Sequence, residues 1–154
     1  IIPERVHINW DSLLTSSKEE VLKKVTNNSL GIVDDYYTEY IHGKIGRMDA
    51  VSASFNQELE DCNELINFLH SKHVNASFII SPLNPYYYKN LKDIEPTVQL
   101  IENKLKQRNF PYLNLFTTDT TRYEKAILHD VMHMSDYGWY KVNRFIVDTY
   151  NLSK

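Results

Sequence analysis

The run Ala76–Ile80, ASFII, lies between two helix-like stretches, and its reading settles the architecture. It is short, apolar and rich in β-formers, and Pro82 stops it, as expected for a buried strand. Upstream, Leu59, Cys62, Leu65, Ile66 and Leu69 recur at helical spacing, and Glu58, Glu60, Asp61 and Glu64 load the first turns with acid. Downstream, a helix is predicted from about Pro96, a good first-turn residue, with Val98, Ile101 and Leu105 facing inward. Pro111–Phe116, PYLNLF, repeats the strand signal. A last helix carries Val142, Phe145, Ile146 and Tyr150 on one side. Helix, strand, helix, strand, loop, helix implies an α/β fold with parallel strands joined by crossovers.

The first fifty residues are less regular than the βα core expected over 51–154. RVHINW, Arg5–Trp10, alternates like an edge strand. SSKEEVLKKV, from Ser16, reads as a helix capped by Ser16 or Ser17 and ended by TNNSLG. DDYYTEYIHGKIG, from Asp34, fits a helix or an extended lid. At 154 residues the chain suits a single domain. Only two strong strands, and a start at Ile1 without methionine, suggest the C-terminal fragment of a longer protein.

A formal charge of −3, with basic residues scattered, gives no footprint for nucleic acid or an anionic membrane surface. No apolar run reaches the roughly 18–20 residues of a membrane helix. The one cysteine, Cys62, rules out an internal disulfide and reads as a small core residue.

In open α/β sheets, function gathers in loops beyond the carboxyl ends of the strands. SPLNPYYYKN follows the first strand here, and TTDTTRYEKAILHDVMHMSD follows the second. The second loop offers two pairings. His129 and His133, four apart, resemble a zinc-binding H-E-x-x-H, but Asp130 is a methylene shorter than glutamate, the stretch lacks helical periodicity, and no histidine follows His133 as third ligand. Asp130 and His133, three apart, suit the orienting acid and the base of a hydrolytic triad. A single turn brings both side chains to one side, and imidazole titrates near neutrality, where one group must act as base and then acid. On spacing alone, a solvated aspartate beside a surface histidine is the plainer reading.

Context adds weight to the triad. Asp130-x-x-His133, followed by Gly138-Trp139 at the entry to a terminal amphipathic helix, resembles the D-alanyl transfer protein family, DltD, which is similar to serine hydrolases of the SGNH/GDSL type. FIISPLNPYYYKN is similar to that family's strand, Pro-x-Asn and tyrosine cluster, and NNSLGIVDDYYTEYI to its more N-terminal region. The chain departs from the family where Met134-Ser135-Asp136 replaces the usual Leu-Gly-Trp.

The resemblance implies the C-terminal part of a three-layer SGNH-hydrolase-like parallel sheet with flanking helices. It implies D-alanylation of teichoic or lipoteichoic acid by serine-type acyl transfer, at the extracellular face of a Gram-positive membrane. His133 would be general base and acid, with Asp130 orienting it. No Gly-x-Ser elbow occurs, and Ser52, Ser54 and Ser81 lack its strained-turn context, so the serine is expected in the missing N-terminal half and the fragment alone is expected to be inactive. The partners implied are a D-alanyl carrier or other acyl donor and the teichoic acid acceptor. No metal or other cofactor follows from this chemistry.

Around the dyad, Asn84 could bind substrate or donate to an oxyanion, although a Pro-x-Asn-Pro asparagine is more often a turn residue. Tyr86, Tyr87 and Tyr88 could stack on a sugar or glycerol-phosphate chain, or simply pack beneath the loop. Gly138 and Trp139 are expected to support the histidine loop, Trp139 by core packing. Two alternatives stay open: an SGNH-type esterase acting on a cell-surface glycan, and a non-catalytic module binding a glycan or protein.

Overall fold

A computed structural model describes residues 8–48 and 56–152. The alternating residues 5–7, the hydroxyls of Ser52 and Ser54, and the expected core boundary at 51 lie outside the described residues. The chain forms two compact units. One runs to His42 and resumes at Glu124, and the other is Gly43–Tyr123.

The second unit holds the strand-bearing core. Helix α3, Gln57–Ser71, begins at Asn56, whose side chain accepts the Leu59 amide. Strand β1 is Phe78–Ile80, helix α4 is Glu95–Gln107, and β2 is Tyr112–Asn114. The strands pair in parallel, with Phe78 opposite Tyr112 and Ile80 opposite Asn114. Ile66, Leu105 and Phe110 form the core, with Cys62, Leu69, Phe78, Ile101 and Tyr112 packed against it. The chain is thus mixed helix and strand with a small parallel two-stranded sheet, compatible with α/β. Leu65 departs from the expected stripe. It lies about half exposed, because Ile66 and Leu69 already fill the inward face of α3.

Helix α1, Trp10–Leu22, opens the first unit, and its start corrects the sequence reading. Ile8 and Asn9 are not strand, and Ser16 and Ser17 are not caps. Asn9 caps the helix by accepting the Ser12 amide at 3.0 Å. The two serines lie inside the helix, where their hydroxyls donate back to the Leu13 and Leu14 carbonyls. Burial of Ser17 and Val21 on one stripe, rather than propensity, carries the helix through them.

The chain leaves α1 through a loop closed by Asp34. That carboxylate accepts from the Thr26 amide and hydroxyl, the Asn27 amide and the Asn28 side chain, all within 2.9 Å. Burial works against ionisation of Asp34, but these donors outweigh it and hold its pKa down at about 2. The DDYYTEYI stretch is helical, with a short turn α2, Asp34–Tyr36, running into a π-helical turn, Tyr37–Ile41. The closing helix α5, Asp136–Tyr150, packs against α1, and Val142 is buried on it.

Candidate active site

Between Ala126 and Ser135 the first unit folds a tight loop across an antiparallel bridge, Leu128 to Met134. Ile127, Leu128 and Val131 point inward, while His129, Met132 and His133 stay exposed. The His129 amide donates to the His133 carbonyl at 2.8 Å, so the two histidines oppose each other across the loop's mouth.

The turn is built by Asp130. Its Oδ1 accepts the amides of Met132 at 2.8 Å and His133 at 2.7 Å. Its Oδ2 lies 2.7 Å from Nδ1 of the His133 ring. One carboxylate therefore shapes the loop and orients the imidazole. Its side chain is 9% exposed and that of His133 is 75% exposed. Burial alone would raise the Asp130 pKa, but the two amides and the ring hold it below the ordinary carboxylate value. An ionised carboxylate on Nδ1 favours the proton there and leaves Nε2 as the nitrogen for exchange with a reacting group.

The loop is clamped from α5. Ser135 is buried, donates its hydroxyl to the Ala126 carbonyl, and accepts the amides of Tyr137 and Gly138 as N-cap. Ala126 adopts a left-handed φ of 68°, held by the Ser135 bond to its carbonyl and by its own amide donating to Gly31. Gly138 has no room for a side chain, because a Cβ there would come 2.5 Å from the Ile127 carbonyl oxygen. Trp139 differs from expectation. It is 52% exposed, since α5 turns Tyr137, Gly138 and Val142 inward and Trp139 away.

Beneath α5, Glu124 accepts from the Tyr137 hydroxyl and pairs with Lys141. Burial would raise the Glu124 pKa, but these two donors lower it. Beside the loop, the Val33 amide donates to the His129 carbonyl, and the Tyr36 ring meets that of His129 edge-on at 6.5 Å.

Asn84 and the three tyrosines belong to the second unit. Asn84 is fully buried. Its Oδ1 accepts the amides of Tyr86 and Tyr87, and its Nδ2 donates to the Tyr123 hydroxyl. That is a turn bracket. Tyr88 is buried, and the Tyr87 and Tyr88 rings crowd Gly46, where a Cβ would lie 2.2 Å from Tyr87. Tyr86 is the most exposed of the three, at 36%, and anchors its hydroxyl on the Thr120 carbonyl.

Sequence reasoning missed Ser135 and Tyr36. Ser135 carried a signal, being an N-cap residue directly before an amphipathic run. Tyr36 carried none, because its neighbour His129 is more than ninety positions away.

The family model for the DltD protein matches residues 3–151 of this chain. Among curated proteins, Protein DltD of Lacticaseibacillus rhamnosus is 22% identical over 133 residues, covering 81% of this chain. The match takes in 31% of that relative, so the chain spans well under half of its length.

Proposed function

From a chain that belongs to the DltD family, we propose an acid–base half-site for serine-type acyl transfer, the D-alanylation of teichoic or lipoteichoic acid. The observation that carries the reading is the 2.7 Å contact between a sheltered Asp130 carboxylate and an exposed His133 ring. In this reading the whole protein has a three-layer SGNH-like sheet and acts at the outer face of the membrane. The serine comes from outside these 154 residues.

The first step forms a bond from the serine oxygen to the D-alanyl carbonyl carbon of a carrier-bound donor. The hydroxyl proton passes to Nε2 of His133, and the carrier departs with that proton as its bond to the acyl group breaks. In the second step an acceptor hydroxyl gives its proton to Nε2 and its oxygen attacks the acyl-serine. The serine oxygen leaves and recovers the proton. Asp130 keeps Nδ1 protonated throughout and stabilises the imidazolium between transfers. Within the second unit Tyr86 is the most exposed of the three tyrosines, while Asn84, Tyr87 and Tyr88 hold that loop in shape.

The test uses the complete protein, a labelled D-alanyl donor and teichoic acid. His133→Ala is expected to lower transfer by about 10³-fold or more while the protein stays folded. Unchanged turnover in that variant overturns the reading. Label released to water, with none on the acceptor, replaces transfer by hydrolysis.

A further inference from the structure

The second unit carries a cleft that neither the dyad nor the tyrosine loop uses. It is about 310 Å³ in volume and lies beyond the amino ends of both strands, the opposite end of the sheet from Asn84 and Tyr86. Two matching helix ends build it. Helices α3 and α4 each finish in a left-handed residue, His73 at φ 52° and Asn109 at φ 57°. The amides of His73 and Val74 donate to the His70 and Leu69 carbonyls, and those of Asn109 and Phe110 to the Lys106 and Leu105 carbonyls. Capping in this way blunts the repulsion that free carbonyls at a helix end exert on an anion. The two turns set His70, His73, Asn75, Arg108 and Asn109 around one opening. The Arg108 guanidinium is held in place by its Nε and Nη2, which donate to Asn67 Oδ1 at 3.2 and 3.0 Å, and its Nη1 takes no part in that pair. The floor is apolar, since Phe110 is buried and meets the His70 ring edge-on at 6.3 Å.

One permanent cation, two imidazoles and two carboxamides line the opening, with no carboxylate among the described residues that line it. A metal ion does not suit it. Arg108 would repel the ion, and among the described residues no group of three or more His, Cys, Asp or Glu could hold one. An uncharged ligand would take no charge-assisted bond from the guanidinium. A carboxylate offers two oxygens to donors that come from three side chains, whereas a phosphate monoester offers three. We propose that this cleft binds a phosphate monoester, with Arg108 as the charge anchor, His70 and His73 donating to the remaining oxygens, and Phe110 against the organic group. The proposal stands apart from the acyl-transfer reading, because none of its residues takes part in that chemistry.

The test is equilibrium dialysis of the complete protein against phenyl phosphate, inorganic phosphate and phenol. Phenyl phosphate is expected to bind saturably and phenol is not. Inorganic phosphate bound more weakly than phenyl phosphate assigns the cleft to an ester, as proposed, and equal binding moves the assignment to the free anion. Loss of a hydrogen bond to a charged partner weakens binding by about 10–150-fold, the range expected for Arg108→Gln. His73→Gly should weaken it by about 10-fold. Glycine adopts the left-handed conformation at no steric cost, so the α3 cap should hold and the melting temperature should not fall. Arg108→Gln also loses the Asn67 pair, so its melting curve is measured alongside, and His73→Gly decides the outcome if that variant unfolds. His133→Ala should bind phenyl phosphate as the parent does, which separates this cleft from the dyad. No binding by the parent, binding undiminished in His73→Gly and in folded Arg108→Gln, loss of binding in His133→Ala, or phenol bound as tightly as phenyl phosphate each overturns the proposal.

Discussion

At Asp130, Oδ1 takes two backbone amides and Oδ2 takes a ring nitrogen, so substitutions can separate loop shape from imidazole orientation. Asp130→Asn keeps an oxygen for the amides but can turn its NH₂ toward Nδ1. Nδ1 must then accept, the proton moves to Nε2, and the ring is in the wrong tautomer for a base. Turnover by the complete protein is expected to fall by about 10⁴-fold, while stability drops by only about 1 kcal/mol. Asp130→Ala removes the acceptor for the Met132 and His133 amides as well, and should cost a further 1–3 kcal/mol, roughly. Parallel urea melts and steady-state rates distinguish the two variants. Similar activity in Asp130→Asn and the parent would mean that Oδ2 orients nothing.

Helix α5 shows how an element can hold a site that it does not itself contain. Its N-terminus grips the loop through Ser135 and through the missing side chain at Gly138. Alanine at Gly138 would gain about 1 kcal/mol of helix propensity. Its methyl group, however, meets a backbone carbonyl at 2.5 Å that cannot move without moving the loop. The clash should win, with a net loss of about 1–3 kcal/mol and lower turnover. Ser135→Ala removes a cap and should cost about 1–2 kcal/mol. Trp139→Ala, on the exposed side of the same turn, should stay within about 0.5 kcal/mol. Thermal melts of the three variants check the order, and a large loss at Trp139 would contradict this account of α5. The same helix marks the limit of what could be read beforehand. The periodicity of Val142 and Phe145 was visible in sequence, as were the parallel strand signals at Phe78–Ile80 and Tyr112–Asn114, because side-chain period follows backbone geometry. The side to which Trp139 turns depends on the close approach of Gly138 to Ile127, which no periodicity encodes. Ser16 and Ser17 misled for a related reason: a serine hydroxyl can cap a helix or bond back within one, and only the burial of Ser17 and Val21 chooses between them. The Asp130–His133 pairing was legible because it is local, whereas Tyr36 and His129 meet only through the fold.

Across the molecule, the shifted groups bias stability against both extremes of pH. Asp34, Asp119, Glu124 and Asp130 all titrate lower in the fold than their ordinary values, so the unfolded chain binds more protons in acid. Their contribution is complete above the unfolded carboxylate range and is lost as pH falls through the folded values, down to about 2 for Asp34. Burial pushes the phenols of Tyr123 and Tyr137 up, with the Glu124 carboxylate adding to the shift at Tyr137. Their contribution is complete below the unfolded phenol value and is lost as pH rises beyond it. Urea midpoints plotted against pH should therefore form a plateau from about pH 5 to 9 with falling limbs on either side. Asp34→Asn should flatten the acid limb, because the group that supplies the steepest part no longer titrates, and it should lower the plateau by about 1–3 kcal/mol by leaving a weaker acceptor for the Thr26, Asn27 and Asn28 donors. Tyr137→Phe should flatten the alkaline limb and leave the acid limb in place. An acid limb equally steep in Asp34→Asn would show that the four-donor cage around this carboxylate does not govern acid unfolding, and would move that role to the carboxylates of the Asp130 loop and the Glu124–Lys141 pair.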